Sequence, residues 1–144
     1  MTAELARAIG TRGLIHGQHA DLTLADAVNA SEELESIHLH KSGSLFIASV
    51  RLPAFYAGLA EPKLAALDQF AQAVGIAFQI TDDLLDAPAG GAENHRNLAQ
   101  RLGSDAARRR VHELIDDAIE ALIPFGDAAT ALRDLASYVR ARIH

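Results

Sequence analysis

An all-α fold is predicted by three features of the chain. Apolar residues recur at helical spacing nearly everywhere, alternating β-branched runs are few, and there are only four prolines. The first helix is expected from Thr2 to Ala20, with Leu5, Ile9 and Ile15 among its apolar positions. Glycines at 10, 13 and 17 each weaken it by ~1 kcal/mol relative to alanine, so this stretch either packs closely against another helix or breaks. A second helix begins near Ser31, read as an N-cap, with Glu32 and Glu33 at the positive end of its dipole. It runs through Leu34, Ile37, Lys41, Leu45 and Ala48 toward Tyr56, with Pro53 expected to kink or stop it.

The third helix starts at Glu61-Pro62, where a proline's missing N–H costs nothing. It reaches about Asp86, and Pro88, Gly90 and Gly91 end it. A polar loop follows over 90–97. Ser104 is the expected cap of a fourth helix through Leu122, and Gly126 separates that helix from a last one, Asp127 to Ile143. There is no internal repeat, and 144 residues suit one domain of ordinary size.

Composition narrows the function classes. Hydrophobic types make up 49% and charged types 22%, which predicts a packed core. The net charge of −6 argues against non-specific nucleic-acid binding, and the acidic excess lies wholly in residues 1–90. The absence of cysteine excludes disulfide scaffolds, thiolate metal sites and thiol catalysis. The segment MTAELARAIG lacks the pattern of a secretory signal, and no apolar run approaches the ~20 residues of a membrane span. A cytoplasmic location is the expectation.

The most informative segment is the second half of the third helix. Gly75, Gln79, Asp82 and Asp86 fall at i, i+4, i+7 and i+11 and share one face, with Asp83 beside them. The rest of the circumference is apolar (Val74, Ile76, Ala77, Phe78, Ile80, Leu84 and Leu85), which predicts burial. Buried like charges repel unless a cation compensates them. Magnesium suits such a stripe, because it prefers oxygen ligands, keeps several waters and bridges carboxylates to phosphates. The alternative is a solvated helix end whose acids pair with nearby arginines. Asp116, Asp117 and Glu120 have nearly the same spacing but lie opposite the apolar face formed by Val111, Leu114, Ile115, Ala118 and Leu122, so they are expected on a solvated face. Lys41-Ser42 lies between Ile37 and Leu45-Phe46-Ile47, where the lysine either meets a phosphate or snorkels to water. His16, His19, His38 and His40 share no metal-ligand spacing with a carboxylate, and Arg108, Arg109 and Arg110 are expected on a solvated face with acidic partners such as Glu113.

Taken together, Gly17-Gln18-x-x-Asp21-Leu22, His38-x-x-Lys41-Ser42-Gly43 and Phe78-Gln79-x-x-Asp82-Asp83-x-x-Asp86, in this order, resemble the C-terminal half of the trans-isoprenyl diphosphate synthases, the polyprenyl synthetase family of farnesyl and geranylgeranyl diphosphate synthases. The resemblance covers nearly the whole chain. It implies an all-α isoprenoid synthase fold and prenyl transfer, in which Mg²⁺ assists loss of diphosphate from an allylic diphosphate that isopentenyl diphosphate then attacks. On that basis Asp82, Asp83 and Asp86 match the family's second aspartate-rich motif, the metal ligands, and Gln79 the glutamine before it. Lys41 matches a lysine that contacts the allylic diphosphate, with Ser42 where a threonine is usual. Residues 1–144 would then be a single C-terminal half of that domain.

Two departures set further expectations. The family's first aspartate-rich motif and its basic residues for isopentenyl diphosphate belong to the half not spanned here. The family's lysine-containing loop after the second motif is also replaced, because residues 87–101 hold no lysine and Arg96 stands in only in part. The resemblance therefore implies a chain that binds allylic diphosphate but is inactive alone, as a homo-oligomer or with a full-length prenyl synthase. The alternatives are a non-catalytic regulatory subunit docking on such a synthase and a degenerate gene copy.

Overall fold

A computed structural model describes residues 1–23, 31–86 and 97–143; the loop expected over 90–97 and Arg96 lie outside the described residues, Asn97 excepted. Eight α-helices and no strand occur among the described residues: α1 Thr2–Ile9, α2 Leu14–Thr23, α3 Ser31–His38, α4 Ser44–Tyr56, α5 Glu61–Leu85, α6 Leu98–Leu102, α7 Ser104–Ala121 and α8 Thr130–Ala141. The all-α expectation holds. None of these helices is long and apolar enough to cross a membrane.

The expected first helix is two helices, because the chain turns through Gly10 and Gly13. The expected second helix is continuous in path but changes pitch. Leu39–Gly43 forms a π-helical turn in which the Ser44 N–H donates to the Leu39 carbonyl five residues back. Side chains compete for the carbonyls here: Ser44 Oγ donates to the His40 oxygen at 2.6 Å, and His40 Nδ1 lies 2.8 Å from the Ser36 oxygen. With those acceptors engaged, the wider turn leaves fewer backbone groups unpaired. Pro53 sits inside α4 without ending it.

Helix α5 opens on Glu61-Pro62 as expected and is the central strut, packed against α4, α6, α7 and α8. Its Val74 and Ile80 are fully buried with Leu34, Leu98, Val111, Ile115 and Leu122. Asn97, not part of any expected helix start, caps the unexpected α6 by accepting the Gln100 N–H at 2.8 Å. Ser104 is the first helical residue of α7 rather than its cap, a position held by Gly103. The cap assigned to Ser31 rests on a side chain outside this description. A 3₁₀ turn, Ile123–Ala129, crosses Gly126 and shortens the last helix to Thr130–Ala141.

Helix α1 buries no side chain. It is held by Arg51 of α4, which forks onto Asp68 of α5 at 2.7 and 2.6 Å and reaches Glu4 at 3.0 Å.

Candidate functional site

Two close helix approaches bring the motif residues together. A Cβ on Gly17 would fall 2.1 Å from the Lys41 backbone nitrogen, so only glycine lets α2 lie against the π turn. One turn further along α2, Asp21 then meets Lys41, with Nζ to Oδ2 at 2.7 Å. On the other flank a Cβ on Gly75 would stand 3.0 Å from Gly43 Cα. That contact draws α5 onto the same turn, so that Ser42 Oγ donates to Gln79 Oε1 at 3.1 Å. Lys41 and Ser42 are thus presented side by side from the widened turn, one toward α2 and one toward α5.

The acidic stripe is graded in exposure rather than uniformly buried, which corrects the burial expected from its apolar surroundings. It lies at the end of α5, where fewer elements cover it. Asp83 is the most enclosed of the three. Its Oδ2 accepts the Leu98 N–H at 2.7 Å, its Oδ1 accepts from Gln79 Nε2 at 3.4 Å, and its backbone oxygen accepts from Asn97 Nδ2 at 2.8 Å. Burial pushes its carboxyl up to about 6 against the pull of the Leu98 and Gln79 hydrogen bonds, and the charges of Asp82 and Lys41 are felt there too. Asp82 is half-exposed and pairs with Arg142 Nη2 at 2.9 Å. Asp86 stands exposed at the helix end, its N–H on the Asp82 carbonyl.

Among the described residues no three His, Asp or Glu side chains are gathered closely enough to enclose a metal ion by themselves. The exposed Asp86 and the pairing of Asp82 with Arg142 are what the alternative, a solvated helix end paired with arginine, expects, while the donors of the stripe are all hard carboxylate oxygens. That chemistry fits Mg²⁺ shared with waters and an anionic ligand.

The remaining expectations fall out clearly. Asp116, Asp117 and Glu120 are exposed, and Asp116 pairs with Arg140 at 2.7 Å. Arg110 forks onto Glu35 at 3.0 Å and reaches Glu113 at 3.6 Å. His16 and His40 meet edge to face at 5.3 Å. His38 is buried with Nδ1 unpartnered, and burial pushes it down to about 4. An apolar hollow of about 330 Å³ among Val50, Pro53, Leu67 and Phe125 lies near the other end of α5. Asp21 and Arg142 were not singled out in sequence. Asp21 lies in the quoted Gly-Gln-x-x-Asp-Leu stretch, whereas no spacing marks Arg142.

Residues 3–121 match the family described as polyprenyl synthetase. The chain is similar to the farnesyl diphosphate synthase of Escherichia coli, 36% identical over 154 residues that make up 96% of this chain and 52% of that protein. It is 32% identical over 155 residues to the large subunit 1 of a heterodimeric geranylgeranyl pyrophosphate synthase of Arabidopsis thaliana, covering 96% of this chain and 42% of that one. An FPP/GFPP synthase structure from Zymomonas mobilis superposes with a TM-score of 0.84 at 31% identity, over 95% of this chain and 49% of that one. The chain spans about half the length of the relatives it matches.

Proposed function

Since the chain belongs to the polyprenyl synthetase family, we propose that it acts in isoprenoid biosynthesis as the C-terminal half of a prenyl-transfer site, one wall that binds an allylic diphosphate. The observation that carries this reading is the convergence of Lys41, Ser42, Gln79 and the Asp82–Asp86 stripe on one π turn and one helix end.

Asp82, Asp83 and Asp86 would hold Mg²⁺, and Asp83 Oδ2 also fixes the helix end to α6 through the Leu98 N–H. Bound there, Mg²⁺ would neutralise charge gathering on a leaving diphosphate. Lys41 would add a point charge to the same anion, passing from Asp21 to phosphate oxygen. The Ser42 hydroxyl, which donates to Gln79 in this structure, would turn to a phosphate oxygen, and Gln79 Nε2 would supply a further donor.

The resemblance assigns a first aspartate-rich motif to the half of the family's length outside residues 1–144. Turnover on this reading needs the residues of that half, which residues 1–144 do not contain. Leu5 and Ile9, exposed one turn apart on α1, which buries no side chain, offer the residues of that half an apolar surface.

The test is prenyl transfer by the purified chain with isopentenyl diphosphate, dimethylallyl or geranyl diphosphate and Mg²⁺, alone and with a full-length family synthase. Calorimetry of Mg²⁺-pyrophosphate binding runs alongside. Binding lost in Asp82→Ala, with turnover only when the second protein is present, is expected. Turnover by the chain alone sinks the one-wall reading, and pyrophosphate binding indifferent to Asp82→Ala sinks the site.

A further inference from the structure

Arg142 is not among the residues that the resemblance assigns, yet it sits on the first carboxylate of the stripe. Its Nη2 is 2.9 Å from Asp82 Oδ1, and the two side chains are 28% and 30% exposed. The guanidinium also lies 5.1 Å from the ring centroid of Phe78, one turn before Asp82 on α5. Phe78 packs on Phe46 of α4 at 5.6 Å, so the aromatic platform is itself braced. The arginine is thus held by its edge on a carboxylate and by its face on a ring, a combination that a lysine does not reproduce. A divalent ion on Asp82 would compete for the same oxygen and repel the guanidinium at that range.

We propose that Arg142 is the resident cation of Asp82, a site residue that holds the carboxylate until a metal ion replaces it. Metal loading and the docking of the C-terminal end of α8 are then alternatives. The inference rests on the proposed metal role of Asp82. Reciprocity follows from linkage: the ion loosens the end of α8, and loosening that end strengthens the ion's hold.

The test uses Mn²⁺ alone, its free-ion signal followed by paramagnetic resonance, on the wild-type chain and on R142Q, R142K and D82N. Amide hydrogen exchange over residues 139–143 is followed with and without the ion. R142Q should bind Mn²⁺ about 2- to 5-fold more tightly than wild type, in line with release of a half-exposed pair, and R142K should fall between them. D82N should lose the binding and, without metal, speed exchange over 139–143; Mn²⁺ should speed it in wild type. Binding that depends on Asp82 but is unchanged or weaker in R142Q overturns the inference and leaves the metal role standing. Exchange over 139–143 that ignores both D82N and Mn²⁺ also overturns it. Mn²⁺ binding absent from wild type and R142Q alike, or indifferent to D82N, overturns the metal reading and this inference with it.

Discussion

Lys41 and Asp21 form an unequal ion pair: across 2.7 Å the lysine side chain keeps 31% of its exposure and the aspartate 10%. The carboxylate therefore loses more water than the ammonium does, and it depends more on the partnership. Lys41→Met, which strands Asp21, should destabilise the fold by about 2–3 kcal/mol, and Asp21→Asn by about 1 kcal/mol. Urea denaturation of the two variants checks the order. The reverse order would mean that desolvation does not govern the pair.

Gly17 and Gly75 make a graded test of close packing. Alanine at 17 places a methyl group 2.1 Å from backbone nitrogen, which cannot step aside as a side chain can. Gly17→Ala should cost about 2–3 kcal/mol by forcing α2 off the π turn. At Gly75 the nearest atom is 3.0 Å away, and Gly75→Ala should cost about 1 kcal/mol or less. Thermal melts of the two variants would expose a wrong ranking.

Asn97 serves α5 and α6 at once, accepting the Gln100 N–H and donating to the Asp83 carbonyl. Asn97→Ala should lower stability by about 1–2 kcal/mol. It should also raise amide exchange first over residues 98–102. Uniform loss of protection across the chain would argue instead that α6 does not open separately.

His38 and Asp83 bend the pH profile in opposite directions. The His38 imidazole is held down at about 4 against an ordinary 6.5, so the unfolded chain gains its proton first as pH falls. Its contribution is whole above pH 6.5 and is lost toward pH 4. Asp83 is raised to about 6 from 3.8, so its contribution is whole below about pH 4 and is lost as pH rises through 6. His38→Leu should shrink the stability difference between pH 7 and pH 4.5 by about 2 kcal/mol, and Asp83→Asn should enlarge it. Urea titrations at the two pH values decide the matter; an unchanged difference in both variants would mean that neither group is buried as described.

The longer helices were legible from the sequence because burial follows their own pitch, along one face in α7 and around most of the girth in α5. Helix α5 starts at its proline and stays apolar around most of its girth, and the Asp116–Asp117 pair is exposed because Val111, Leu114 and Ile115 face the other way. The π turn was not legible, because it arises from Ser44 and His40 competing for carbonyls and from glycines on two other helices, none of which alters the apolar spacing. Helix α6 was missed because five residues hold too few turns to show a period. Within the site, the Asp82 and Asp86 alignment is a property of one helix and could be read from spacing. The meetings of Ser42 with Gln79 and of Arg142 with Asp82 join residues 37 and 60 positions apart, and local pattern carries no trace of them.

The widened turn at Leu39–Gly43 makes the path from Ser31 to Tyr56 a rod with a phase slip. Each residue of a regular helix advances about 100° around its axis, so the apolar rows on either side are set out of step by the turn. A regular α turn with the same number of residues would swing Ala48 and Ala54 away from the faces that Leu34 and Ile37 keep in the core, because the wide turn takes up one extra residue as it closes. The residue count of this segment is therefore part of the architecture. A surface loop absorbs an added or deleted residue, whereas this segment accepts a changed side chain more readily than a changed length.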